Sequence, residues 1–136
     1  MFITGTFTVD LNPQQDAMKG KEGIELNRLA ISKTYSGELD ATSTGEMLSA
    51  VTPVKGSAGY VALEQVSGKL NGRVGTFVLQ HYGVLDNGDQ ALQIQVVPDS
   101  GTGELEGLTG TMAIIIEDGV HRYEFNFGMK ETAGWT

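Results

Sequence analysis

Three side chains in this sequence could do chemistry together: Tyr60, Glu64 and His81. They fall at alternating positions of two runs between Ser57 and Val84, joined at Asn71-Gly72. Asn-Gly between alternating apolar runs predicts a two-residue β-hairpin, in which directly opposed residues share a face. Leu70 then opposes Arg73, Val66 opposes Phe77, Glu64 opposes Leu79 and Ala62 opposes His81. One face carries Tyr60, Ala62, Glu64, Val66, Phe77, Leu79 and His81. A carboxylate on such an apolar face is costly unless it is paired or protonated. If desolvation dominates, the Glu64 pKa rises and the group can carry a proton near neutrality. Glu64 and His81 are therefore the catalytic candidates. The bland alternative is a satisfied polar network that holds the fold. Lys33, which alternates with Leu29, Ile31 and Tyr35, is the candidate ion-pair partner.

Two more turns position these groups. Asn87-Gly88 places Leu92, Ile94 and Val96 on the face of His81, and Gln93, Gln95 and Val97 on the other. That other face also holds Gln65 and Gln80, so it meets water or a partner subunit. Asp118-Gly119 pairs Ile116 with His121, Ile114 with Tyr123 and Met112 with Phe125. Both histidines thus face inward, with His121 near a mouth. The expected strands are Phe2–Val9, Ile24–Gly37, Ala41–Val51, the two of the central hairpin, Gln90–Val97, Thr111–Glu117 and Val120–Gly128. The 10–23 segment is a polar loop and candidate flap, Pro98–Gly110 is a glycine-rich connection, and 130–136, with Trp135, reads as a loose tail. Eight sequential strands predict an all-β fold, an antiparallel eight-stranded β-barrel in one domain over 1–136, because closure removes exposed sheet edges. A sandwich is the runner-up. A barrel of eight strands is filled by side chains or holds one small ligand.

Composition excludes several function classes. The 136 residues include 19 glycines and no cysteine, so disulfides, thiol catalysis and sulfur-ligated zinc are absent and a reducing cytoplasm is expected. A net charge of −8 gives no basic footprint for nucleic acid or anionic membranes. The start shows no basic region followed by a long apolar stretch, and the longest apolar run, Met112–Ile116, is too short to span a bilayer. His81, His121 and Glu64 have the residue types of a two-His-one-carboxylate site, but no closely spaced His pair supports it, so no metal and no cofactor are expected. Gly101-Thr102-Gly103 lacks the third glycine of a phosphate loop. No serine sits in a Gly-x-Ser-x-Gly elbow.

The chain resembles a bacterial family of uncharacterised proteins, domain of unknown function 3224, whose fold is similar to the allene oxide cyclase barrel and calycin-like. The resemblance runs over nearly the whole chain. It rests on Lys33-Thr34-Tyr35-Ser36-Gly37, Gly59-Tyr60 with Glu64, Gly72 through His81, and Val97-Pro98 through Gly101-Thr102-Gly103-Glu104-Leu105 to Gly107-Leu108. Tyr35 stands where the family has Phe. The family implies a fold and no activity, and no local motif of allene oxide cyclases is present, so no catalytic residue carries over.

The expectation is a barrel that binds a small, mostly apolar molecule. Its candidate ligand-binding residues are Tyr60, Glu64, His81, Lys33, Phe77, Leu79, His121 and Tyr123. One alternative is an isomerase or cyclase with Glu64 as proton carrier. Another is a packed barrel acting through its surface, with the Gln-rich face, Val78 and Tyr82 as the contact of a homo-oligomer.

Overall fold

The computed structural model describes residues 1–130. Eight strands run in chain order: β1 (Phe2–Pro13), β2 (Glu25–Gly37), β3 (Leu39–Val51), β4 (Ala58–Leu70), β5 (Arg73–Asp86), β6 (Asp89–Val96), β7 (Leu108–Glu117) and β8 (Val120–Met129). Each is antiparallel to its sequence neighbour, and β8 returns to β1 to close the barrel. Every strand therefore has a partner on both sides, so none is an edge strand, although the β6–β7 seam is short.

Three two-residue turns set much of the register. Asn71, Asn87 and Asp118 adopt positive φ, each followed by a glycine that does the same, as a type I′ hairpin requires. Leu70 pairs with Arg73, Ala62 with His81, Asp86 with Asp89, and Ile116 with His121. The predicted faces follow. Val66, Phe77, Leu79, Ile94, Met112 and Phe125 are buried, whereas Gln65, Gln80, Gln93 and Gln95 are exposed.

Several strands are longer than the sequence suggests. β1 continues to Pro13, pairing Asp10 to Pro13 with β2, so the connection begins only at Gln14. β7 starts at Leu108 within the glycine-rich stretch. The remainder of that stretch forms a short 3-10 turn over Gly103–Leu105 and packs against β5. Thr102 N–H donates to Thr76 O at 2.8 Å, and Leu105 is buried. Gly75 makes this approach feasible, since a Cβ there would lie 2.1 Å from Thr102 O. The segment stands in where β6 and β7 pair through only Ile94–Met112 and Gln95–Thr111. Of the expected loose tail, Lys130 is tied to Gly107 by a backbone bond of 2.7 Å; the rest, including Trp135, lies outside the described residues.

The barrel has two unlike ends. At one, Tyr123 reaches the tight β2–β3 link. Its hydroxyl donates to Ser36 O at 3.0 Å and accepts from Leu39 N–H at 3.1 Å. Leu39, Leu70, Leu105 and Leu108 complete that end, all buried. At the other end the interior is open. No helix among the described residues is long and apolar enough to cross a membrane.

Candidate functional site

The open end holds a cavity of about 350 Å³. Phe7, Val9, Ile31, Met47, Leu92 and Ile114 form its apolar wall, and Lys33, Tyr60, His81 and His121 bring polar atoms to it. Each polar group comes from a different strand, β2, β4, β5 and β8. Alternation puts each of them on the inner face.

Beneath this floor lies Glu64, with no exposed surface. Tyr35 Oη donates to its Oε1 at 2.6 Å, and Lys33 Nζ and His81 Nε2 approach the same oxygen at 3.3 Å. Ser43 Oγ donates to Oε2 at 2.8 Å. The register explains the convergence. Lys33 is paired with Ser43 across β2–β3, and Ser43 lies diagonal to Glu64 across β3–β4. Directly opposite Glu64 stands Gly45, where a Cβ would fall 2.1 Å from Leu63 O and 2.9 Å from Glu64 Cβ. Glycine at 45 is thus required for β3 to pass so close to the carboxylate.

Burial acts to raise the Glu64 pKa and is the largest single influence on it. The hydrogen bond from His81, the Lys33 charge, the bond from Tyr35 and the His81 charge together outweigh it and bring the pKa down to about 2. The expected rise is therefore reversed. Glu64 is held as a carboxylate at neutral pH, a group that can accept a proton rather than give one. Burial, then the Glu64 charge, pushes the Tyr35 phenol up, and the same two causes in the same order raise Tyr60.

His81 links the buried carboxylate to the cavity. Its Nε2 faces Glu64 and its Nδ1 lies 3.3 Å from Tyr60 Oη. A carboxylate beside Nε2 makes that nitrogen the protonated one in the neutral ring, so Nδ1 accepts from Tyr60. Tyr60, Glu64, His81 and Lys33 are thus brought together as the sequence suggested, with Tyr60 reaching Glu64 through His81.

Other candidates sit elsewhere. Phe77 stacks on Phe125 with centroids 6.0 Å apart, and Leu79 is fully buried. Neither lines the cavity, because an inward face does not specify depth along the barrel. Tyr123 also lies outside the lining, edge-on to Tyr35 at 5.7 Å, with its hydroxyl committed to the β2–β3 link. These three belong to the packed core and lie outside the lining of this cavity. His121 does line the cavity, but it packs on Phe7 at 5.2 Å. Among the described residues no group of three His, Asp or Glu side chains could hold a metal ion. Tyr35 and Ser43 join the site beyond the sequence-derived candidates, and both share the inner face with Lys33 or Glu64.

A larger concavity of about 920 Å³ lies over the outside of β3–β5, lined in part by Leu48, Val61, Leu63, Gln65, Val78 and Gln80. Pocket size alone would favour it. The mouth cavity is the better candidate because buried polar groups converge on it.

Among curated proteins nothing matches the chain. It is similar to a protein with unknown function from the DUF3224 family of Shewanella oneidensis MR-1, known from a crystal structure. The two are 56% identical with a TM-score of 0.95, over 97% of this chain and 98% of that one. The family described as "Protein of unknown function (DUF3224)" matches residues 3–127, and the chain belongs to that family.

Proposed function

We propose that the protein binds a small, mostly apolar molecule in the open-end cavity, with Lys33, Tyr60 and His81 as its polar contacts. The observation that carries this reading is the cavity itself. Its volume of about 350 Å³ is within the usual range for small-molecule sites, roughly 300–1,000 Å³. Its wall is apolar, and its polar groups are held from below by a buried carboxylate. Such second-layer bonding pre-organises a site, since the contacting side chains need no reordering on binding. The absence of cysteine suits a reducing cytoplasm, where we place the protein.

Native mass spectrometry tests the reading. A bound molecule appears as a reproducible mass excess that denaturation removes, and Leu92→Trp, which fills the cavity, abolishes it. A bare mass together with no uptake of neutral apolar dyes would overturn the proposal.

One observation favours a second reading, a homo-oligomer built through the outer face. Leu48, Val61, Leu63 and Tyr82 are 56%, 49%, 56% and 58% exposed there, and Val61 pairs with Leu48 on one side and Tyr82 on the other, so the apolar surface is contiguous. Sedimentation of wild type against Leu63→Gln checks it: a single monomeric species in both rejects it.

A further inference from the structure

The Lys33 ammonium is only partly satisfied. It has three hydrogens to donate and is 6% exposed. Glu64 Oε1 takes one at 3.3 Å and Tyr35 Oη lies 3.5 Å away. Its further neighbours are ring faces, Phe7 with its centroid 4.9 Å from Nζ and Tyr35 at 5.7 Å. A ring face is a weaker partner for a desolvated ammonium hydrogen than an oxygen.

The neighbouring groups are already engaged. The Glu64 oxygens receive Lys33, Tyr35, Ser43 and His81, and Tyr60 and His81 are bonded to each other. Lys33 is the floor group with hydrogens to spare, Tyr60 Oη keeps acceptor capacity alone after donating to His81, and the buried carboxylate has none for a ligand's donor. With the His81 ring neutral, the Lys33–Glu64 pair sums to zero charge, and an anion entering here would be a third buried charge without a counter-ion of its own. The two hairpin turns beside the cavity carry Asp86, Asp89, Glu117 and Asp118, all exposed, against Lys55 in the adjoining 52–57 connection, and the net field of these groups opposes the approach of an anion.

Resting on the binding reading above, we infer that the ligand is a neutral apolar molecule with a carbonyl oxygen at its inner end, and that Lys33 donates to that oxygen. The carbonyl supplies an acceptor without a hydrogen that would need a partner, and its apolar remainder lies against Ile31, Met47, Leu92 and Ile114.

The test is equilibrium binding, followed by fluorescence, of three naphthalene dyes. These are the neutral ketone prodan, its analogue with the carbonyl replaced by methylene, and the anion anilinonaphthalene sulfonate. The ketone is expected to bind about tenfold more tightly than either of the others, the worth of one charge-assisted hydrogen bond. Lys33→Met combined with Glu64→Gln removes the pair without stranding either charge, and should bring the ketone to the level of its methylene analogue. Equal binding of ketone and analogue in wild type overturns the inference, as does a preference that survives in the double variant. Tighter binding of the sulfonate overturns it in favour of an anionic ligand. In each of these cases cavity binding still stands. If no dye binds, or if binding persists in Leu92→Trp and is lost in Leu63→Gln on the outer face, the cavity reading falls as well.

Discussion

Gly83 lies directly across the β4–β5 ladder from Tyr60, and the tyrosine ring occupies the space a side chain at 83 would need. A Cβ there would stand 2.2 Å from Tyr60 Cε1. The missing side chain makes room for the ring beside β5, with its hydroxyl 3.3 Å from His81 Nδ1. Gly83→Ala should displace the ring, break the Tyr60–His81 bond and cost about 1–3 kcal/mol through overpacking. Urea unfolding reads the stability, and imidazole nitrogen NMR shifts read the bond. Unchanged His81 shifts in the variant would mean that Gly83 does not position Tyr60.

Glu64→Gln keeps the shape of the buried group and removes its charge. Lys33 is then left buried beside an amide, and the loss should be about 3–5 kcal/mol at neutral pH, as for one broken half of a buried ion pair. Adding Lys33→Met should recover part of that loss, because the stranded charge is gone. Denaturant midpoints of the two single variants and the double variant close the cycle. Strict additivity would show that the pair is not coupled.

Acid should weaken the protein through the same residue. The Glu64 pKa is depressed from 4.5 to about 2 in the folded chain, so the unfolded chain binds its proton first as pH falls. The contribution of Glu64 is fully present above the unfolded value and is lost as pH drops from 4.5 through the folded value near 2. A depression of that size corresponds to about 3 kcal/mol. Wild type and Glu64→Gln, unfolded in urea from neutral pH down to the acid limit, should converge in stability across that window. A constant gap between them would rule out this linkage.

Tyr123→Phe tests the closed end. The Leu39 amide loses its acceptor at 3.1 Å and Ser36 O loses a donor at 3.0 Å. A buried donor left unpaired costs about 1–3 kcal/mol. Hydrogen exchange at Leu39 should quicken, while dye binding at the open end stays as in wild type. A binding defect would contradict the separation of the two ends.

What was legible in the sequence follows from turn chemistry. Asn71-Gly72, Asn87-Gly88 and Asp118-Gly119 each admit two-residue turns, and from them the pairs Ala62–His81, His81–Ile94 and Ile114–Tyr123 could be counted out residue by residue. The β2–β3 link and the 52–57 connection have no such signature. The neighbours of Glu64 on β2 and β3, Tyr35 and Ser43, could therefore not be placed beside it. The sign of its pKa shift is set chiefly by His81 and Lys33, with Tyr35 adding to them, so burial taken alone gives the wrong direction. Depth was hidden for a different reason. Period-two alternation sorts Phe77, Leu79 and Tyr123 inward but does not say how far along the barrel axis each lies.

The unlike ends of the barrel divide its labour. Closure rests on backbone ladders and on the Tyr123 hydroxyl at one end, whereas Val9, Met47, Leu92 and Ile114 around the mouth are only partly buried. Those four side chains shape the mouth without taking part in the bonds that close the far end. A lineage built on this chain can thus reshape its mouth while keeping its frame.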